Sequence, residues 1–271
     1  MSEPRGAGQR EVVSPAPLYL LPASLGPSEW TSTLPQGAWE LAAGLNYFIV
    51  ENAKTARAEL QRLALPGRIQ DMEIVELPRS ATSAELDALL LPLTIGRRGA
   101  LMSEAGCPAV ADPGSNLVLR AHLARIPVRP LVGPSSILLA LMASGLNGQS
   151  FSFHGYLAKE GEDCVKQLRE LEAESRAKGR TQIFIETPYR NARMFAHVLE
   201  ACRGDTLICI ATDITTADES IHTRSVEAWR AQPPPTLDRR PTLFLLFAPS
   251  GSREVRSSRA GRSSRSRFRV K

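Results

Sequence analysis

The chain of 271 residues is short of most signatures that assign a function at sight. It has no Gly-x-Gly-x-x-Gly, no Walker loop, no Gly-x-Ser-x-Gly and no His-Glu-x-x-His. The common dinucleotide fold, P-loop nucleotide hydrolases, serine hydrolases and zincins are therefore poor fits. Its four cysteines (Cys107, Cys164, Cys202, Cys209) show no Cys-x-x-Cys spacing and no neighbouring His pair, which argues against zinc and against disulfide staples. Cys202 and Cys209 read as small core hydrophobes. The four histidines are scattered, so no metal site is expected. The longest apolar run, Ile137 to Ala143, is far shorter than a membrane span. The opening Ser2-Glu3-Pro4-Arg5-Gly6 lacks the apolar segment of a secretory signal. Together these absences point to a cytoplasmic protein with no membrane attachment.

What is present is an ordinary globular composition, 43% hydrophobic and 23% charged, with an uneven charge. The formal net charge is +5, yet residues 251–271 carry eight basic residues against Glu254, a net of +7. The rest of the chain is thus at −2. The Ser/Arg tail is too polar to fold and is either an RNA-contacting arm or a solvated end.

Along the chain, apolar runs alternate with helical patterns. Strands are expected at Leu18–Pro22, Tyr47–Val50, Ile74–Leu77, Ala100–Ser103 and Val128–Val132. Helices are expected at Trp39–Ala43, Ala53–Leu63, Thr82–Leu91, Leu117–Arg125 and Ile137–Ala143. Strands that are apolar throughout, separated by helices, predict a parallel sheet covered on both faces. The second half predicts strands at Phe151–Tyr156, Gln182–Glu186, Thr206–Thr212, Ile221–Val226 and Leu243–Phe247. Two helices accompany them, Cys164–Ala177 and Asn191–Ala201. The last three strands have shorter links and read as partly antiparallel. The fold class is α/β: a loose arm (1–16), a first α/β domain with a parallel sheet (17–148), a second with a mixed sheet (149–249), and the tail (250–271).

Residues 101–117 are the most informative segment. A strand ends in Ser103-Glu104-Ala105-Gly106-Cys107-Pro108, the chain turns at Asp112-Pro113-Gly114, and a helical pattern begins. A strand that stops in a Gly/Pro loop before a helix is how open α/β sheets build ligand crevices. Comparable loops stand at Pro22–Gly26, Glu51–Lys54, Gly133–Ser136 and Glu186–Arg190. Walls of small residues and backbone groups suit a medium-sized polar ligand. Ser135 and Ser136 are explained by helix capping more simply than by nucleophilic chemistry.

These residues resemble a known family. Ser103–Pro108 with Asp112-Pro113-Gly114 resembles the Ser-Asp-Ala-Gly-Thr-Pro…Asp-Pro-Gly signature of the tetrapyrrole methylase superfamily, in particular its small-subunit ribosomal RNA cytidine 2′-O-methyltransferases. Leu18–Gly26 is similar to that branch's first strand and Pro-x-x-x-Gly loop, and Pro130–Ser136 to its Pro-Leu-Pro-Gly-Pro loop. Phe151–Leu157 is similar to the opening of its second domain. Ile183–Arg190 resembles its Ile-Phe-x-Glu-Ser-Pro-His-Arg. The resemblance spans residues 18 to 247.

It implies a methyltransferase dependent on S-adenosylmethionine, with the cofactor in a cleft between two domains, a ribose 2′-hydroxyl of ribosomal RNA as acceptor, and a homodimer. Carried onto this chain, the cofactor residues are Pro22, Gly26, Ser103, Glu104, Ala105, Gly106, Ser135 and Ser136 from the first domain. Tyr156, Pro188, Ala211 and Thr212 come from the second. The branch's acidic-Asp-Thr-Arg segment is here Glu51-Asn52-Ala53-Lys54, and its His-Asn-Glu segment falls at Leu77-Pro78-Arg79-Ser80. Both are changed, so Glu51, Asn52 and Lys54 are the substrate-side candidates. Glu51 and Glu104 are strand-end carboxylates that could take a proton from an acceptor hydroxyl, or be solvated loop charges. The alternatives are a small-molecule, tetrapyrrole-type methyltransferase and a non-catalytic RNA-binding protein on a degenerate scaffold.

Overall fold

The computed structural model describes residues 14–250. The basic stretch 251–271 and most of the N-terminal arm lie outside the described residues. The first half runs β1 (Leu18–Leu20), α1 (Trp30–Thr33), α2 (Gln36–Ala43), β2 (Tyr47–Val50), α3 (Ala53–Arg62), β3 (Glu73–Glu76), α4 (Ser83–Thr94), β4 (Gly99–Met102), α5 (Ser115–Leu123), β5 (Val128–Pro130) and α6 (Ser136–Ser144). The second half runs β6 (Phe151–Tyr156), α7 (Gly161–Lys178), β7 (Thr181–Ile185), α8 (Asn191–Ala201), β8 (Leu207–Thr212), β9 (Ser220–Ser225), α9 (Val226–Arg230) and β10 (Thr242–Phe247). Every expected strand forms. The helix α1 was not anticipated: it is one turn with no buried residue, and its Trp30 stacks on Trp39 at 5.2 Å.

The first sheet has the order β3-β2-β4-β1-β5 with every pairing parallel. Central strands are apolar at every position because helices cover both faces; β2 (Tyr-Phe-Ile-Val) and β4 (Gly-Ala-Leu-Met) are buried throughout. The edge strand β3 is instead flanked by exposed Glu73 and Glu76. One face packs on α2 and α3 through Ala38, Ala42, Ala56 and Leu60, the other on α4 and α5 through Leu86, Leu90, Leu93, Leu117 and Ala121. Local chemistry fixes where these helices start. Asn52 caps α3 by accepting the N–H groups of Lys54 and Thr55, and Thr82 with Glu85 forms a capping box on α4.

The second sheet is mixed, in the order β6-β7-β10-β8-β9. β6 and β7 are parallel, and β10 runs antiparallel to both β7 and β8. It follows that β6, β7 and β8 all point the same way. One face packs on α7, α8 and α9, with Phe184 and Phe244 stacked at 5.6 Å. The other face is covered by α6, whose Ala140 and Leu141 pack on Ile183, Cys209, Ala211, Leu243 and Leu245. α6 thus follows the first sheet in sequence but buries its apolar side on the second. Leu25, from the loop after β1, packs on the same cluster.

Candidate active site

In the first sheet β1 lies between β4 and β5, while the connections leaving β1 and β4 run in opposite directions across the sheet. The crevice of an open α/β sheet opens at such a reversal, at the carboxyl ends of the strands. Here the loops after β1 and β4 are zipped together at that point. Ala23 and Gly106 exchange both backbone hydrogen bonds, N–H to O at 2.9 and 3.1 Å. Gly106 adopts φ +69°, a conformation that glycine reaches without strain. Ala109 and Ala111 are also left-handed, both at φ 64°, so the loop carries strained non-glycine backbone close to the cavity.

A cavity of about 470 Å³ lies between the two sheets. From the first half it is lined by Leu25, Glu104 to Cys107, Val110 to Asp112 and Ser135 to Ile137. The second half contributes Phe153 from the middle and Tyr156 from the end of β6, Ile185, Glu186 and Pro188 at the end of β7, Ile214 after β8, and Pro241 to Leu243. Because β10 is antiparallel to β7 and β8, it is the start of β10 that reaches the cavity. Most second-half lining therefore comes from strand ends facing one way.

The sequence-derived cofactor residues divide into two groups. Glu104, Ala105, Gly106, Ser135, Ser136, Tyr156 and Pro188 line the cavity itself. Pro22, Gly26, Ser103, Ala211 and Thr212 stand behind its walls. A Cβ on Gly133 would come within 2.4 Å of Pro22, so those two loops touch through glycine. A Cβ on Gly26 would meet Thr216 of the second half at 2.6 Å. Ala211 and Thr212 pair with Leu243 and Thr242, which do face the cavity. Asp112, Ile137, Phe153, Ile185 and Leu243 were missed. Asp112 read as a turn residue, and the apolar ones look in sequence like any core position.

Buried polar groups hold the loops in place. Glu59 accepts hydrogen bonds from the Ser24 N–H at 2.8 Å and hydroxyl at 2.9 Å, and from Arg62. Burial works against its charge, but the Arg62 and Ser24 hydrogen bonds prevail and hold its carboxyl below the usual range. Glu186 is buried and accepts from the Thr187 N–H and hydroxyl and from Arg190. Ser135 caps α6, its hydroxyl 3.5 Å from the Leu138 N–H.

Of the substrate-side candidates, Glu51 joins the site through its charge, while Asn52 is occupied as the α3 cap and Lys54 is exposed beside it. Burial pushes the Glu51 carboxyl up, and the charges of Asp112 and Glu104 push it further. Asp112 is likewise raised, chiefly by burial and also by Glu104. Glu104 accepts a hydrogen bond from the Thr55 hydroxyl at 3.0 Å. The Ser103 hydroxyl helps to hold the Asp112 charge, yet it is buried without a hydrogen bond of normal geometry. Cys107 lies 3.5 Å from the Pro134 carbonyl, and burial pushes its thiol up. No cluster able to hold a metal ion is found among the described residues. No helix among them is long and apolar enough to cross a membrane.

The chain is 30% identical over 204 residues to the ribosomal RNA small subunit methyltransferase I of Vibrio cholerae serotype O1, covering 75% of this chain and 67% of that protein. The chain belongs to this methyltransferase family. The Escherichia coli O157:H7 member is 28% identical over 205 residues, covering 76% of this chain and 68% of the relative. The Mesorhizobium japonicum member is 39% identical over 141 residues, 52% of this chain and 46% of that one. No family model matches the chain. Among solved structures, the methyltransferase CobJ superposes with a TM-score of 0.57 at 19% identity, over 87% of this chain and 100% of that one. A uroporphyrin-III-C-methyltransferase from Thermus thermophilus gives 0.50 at 18%, over 86% and 92%. At these identities the two structures bear on the fold alone. They agree with the two-sheet α/β architecture expected from sequence.

Proposed function

We propose that this methyltransferase takes its methyl group from S-adenosylmethionine and places it on small-subunit ribosomal RNA at a ribose 2′-hydroxyl. The observation that carries the reading is the cavity built jointly by the strand ends of both sheets, in a chain of this family. Its volume of about 470 Å³ lies within the range of small-molecule sites, roughly 300–1,000 Å³. Its donor set also fits the cofactor. Glu104 and Asp112 offer carboxylates to hydroxyl and amino groups, and Ile137, Phe153, Ile185 and Leu243 offer apolar surface to a purine.

On this reading Glu104, Ala105, Gly106, Ser135, Ser136, Tyr156 and Pro188 hold the cofactor. Pro22, Gly26, Ser103, Ala211 and Thr212 shape the walls that support them. S-adenosylmethionine supplies a methyl group on a positively charged sulfonium. The protein's own task is to align the acceptor and exclude water, which can lower a barrier by roughly 7–11 kcal/mol. Glu51, Asn52 and Lys54 form the acceptor side, where Glu51 and Glu104 are carboxylates available to the hydroxyl proton. The reading also carries a homodimer in the cytoplasm, checked by sedimentation equilibrium of the full chain.

The test is calorimetric titration with S-adenosylhomocysteine, followed by transfer of labelled methyl to small-subunit ribosomal RNA. Micromolar binding and label at linkages that resist alkaline hydrolysis are expected. Label entering a tetrapyrrole instead would move the acceptor to small molecules. Absence of cofactor binding would make the chain a non-catalytic scaffold.

A further inference from the structure

We propose that Tyr189 is a stacking platform for an unpaired base of the RNA substrate, with Lys159, Arg193 and Arg239 neutralising the neighbouring phosphates. This rests on the ribosomal RNA reading above and assigns the surface that would hold the acceptor strand.

Tyr189 is 71% exposed, although the turn beneath it is firmly tied. Residues Pro188–Arg190 form a 3-10 turn in which the Arg190 N–H donates to the Thr187 carbonyl at 2.8 Å. The Arg190 side chain donates to the Thr187 hydroxyl at 3.0 Å and pairs with buried Glu186. From the other side, the Arg239 N–H donates to the Pro188 carbonyl at 3.2 Å, and the Asn191 side chain donates to the Arg240 carbonyl at 2.7 Å. A large ring held in water by a rigid turn contributes nothing to the core. It is well suited to stacking, because little side-chain freedom is lost on contact.

Its position connects it to the chemistry. Pro188, the preceding residue, lines the main cavity. Glu186 lines both that cavity and a narrow groove bordered by Lys159, Arg190, Arg193 and His197. Glu186 thus stands between the cavity and this groove, and Tyr189 is next in sequence to Pro188 on the cavity side and to Arg190 on the groove side. The Arg190 charge is taken by Glu186, whereas Lys159, Arg193 and Arg239 enter no ion pair among the described residues. The Arg190 guanidinium lies 5.8 Å from the Tyr189 ring centre. Arg193 donates to the His197 ring at 3.3 Å, which leaves its charge without an acidic partner. Exposed aromatics on a surface with such cations are how proteins hold single-stranded RNA, whose bases can be splayed out and stacked. A loop or bulge presenting its ribose to the cavity fits this surface.

The test uses the full chain, small-subunit ribosomal RNA and a short unstructured oligoribonucleotide. Tyr189→Ala should weaken RNA binding about tenfold and raise KM with kcat held, while Tyr189→Trp and Tyr189→Phe stay near wild type. S-adenosylhomocysteine affinity, read by calorimetry, should be unchanged in all three, which shows that the fold survives. Lys159→Ala and Arg193→Ala should each flatten the slope of log affinity against log salt by about 0.7. If the wild type methylates RNA and Tyr189→Ala does so with the same KM, the platform is wrong and the RNA reading stands. If the wild type neither binds nor methylates RNA, both fall together. Binding to a protein partner that Tyr189→Ala abolishes, with RNA affinity intact, would also overturn the proposal.

Discussion

The two sheets reach the same cavity by different routes. In the first, every pairing is parallel, so each connection returns over a face and each carboxyl-end loop falls on one edge. In the second, β9 and β10 run against their neighbours, and the cavity receives the ends of β6, β7 and β8 together with the start of β10. The first half supplies mainly loops with small residues, strained turns and carboxylates. The second adds apolar strand residues and one exposed aromatic. A parallel sheet concentrates loops by topology, while a mixed sheet must contribute through whichever strand ends face the right way.

The largest effect should come from asking whether the halves fold separately. Phe48 and Phe244 are fully buried, one in each half. Phe48→Ala and Phe244→Ala should each cost about 3–5 kcal/mol. Because α6 buries its apolar side on the second sheet, calorimetry should show one unfolding transition shifting in both variants. A transition that splits, with each variant moving a different part, would mean that the halves are energetically independent.

Crowding the contacts around the crevice comes next. Gly133→Ala places a methyl against the rigid Pro22 ring and should cost about 1–3 kcal/mol and weaken S-adenosylhomocysteine binding at least tenfold. Gly26→Ala meets only the Thr216 methyl, so it should be milder and be relieved by Thr216→Ser in the second half. Failure of that rescue in a double-mutant cycle would remove Gly26 as a contact between the halves.

The charges should give smaller, pH-dependent effects of opposite sign. The Glu59 carboxyl lies below its ordinary range when folded, so its contribution is complete above the unfolded pKa and fades as pH falls through the folded one. Glu59→Gln should therefore lower the melting temperature at pH 7, by about 1–2 kcal/mol of stability, and less below pH 4. A constant deficit across pH would sink this assignment. Asp112 is raised instead, so its ionisation weakens the fold above its folded pKa and the penalty lifts as pH falls. Asp112→Asn should gain about half a kcal/mol at neutral pH while losing cofactor affinity, a site residue retained at a cost in stability. A loss of stability at pH 7 would contradict it.

Much of this was legible from sequence because it is local. Tyr47–Val50 and Phe151–Tyr156 form strands at the expected bounds, and Asn191–Ala201 is a helix as read. Ser135 at an N-cap and the small residues of Ser103–Gly106 announce their roles by chemistry that acts within a few residues. The buried faces of Cys202 and Cys209 were likewise expected.

What only the tertiary structure decided is which distant segments meet. Periodicity says that α6 has an apolar side, but not that this side lies on β7, β8 and β10 instead of the sheet that precedes it. An Asp-Pro-Gly turn gives no sign that Asp112 will share a field with Glu51 and Glu104, some 60 residues apart at the extremes. The same holds for Phe153, Ile185 and Leu243, apolar strand residues that belong to the core under α6 and also face the cavity. Local sequence fixes which groups must be buried or capped. Their partners are set by the strand order, because contact across a sheet depends on topology that no single segment encodes.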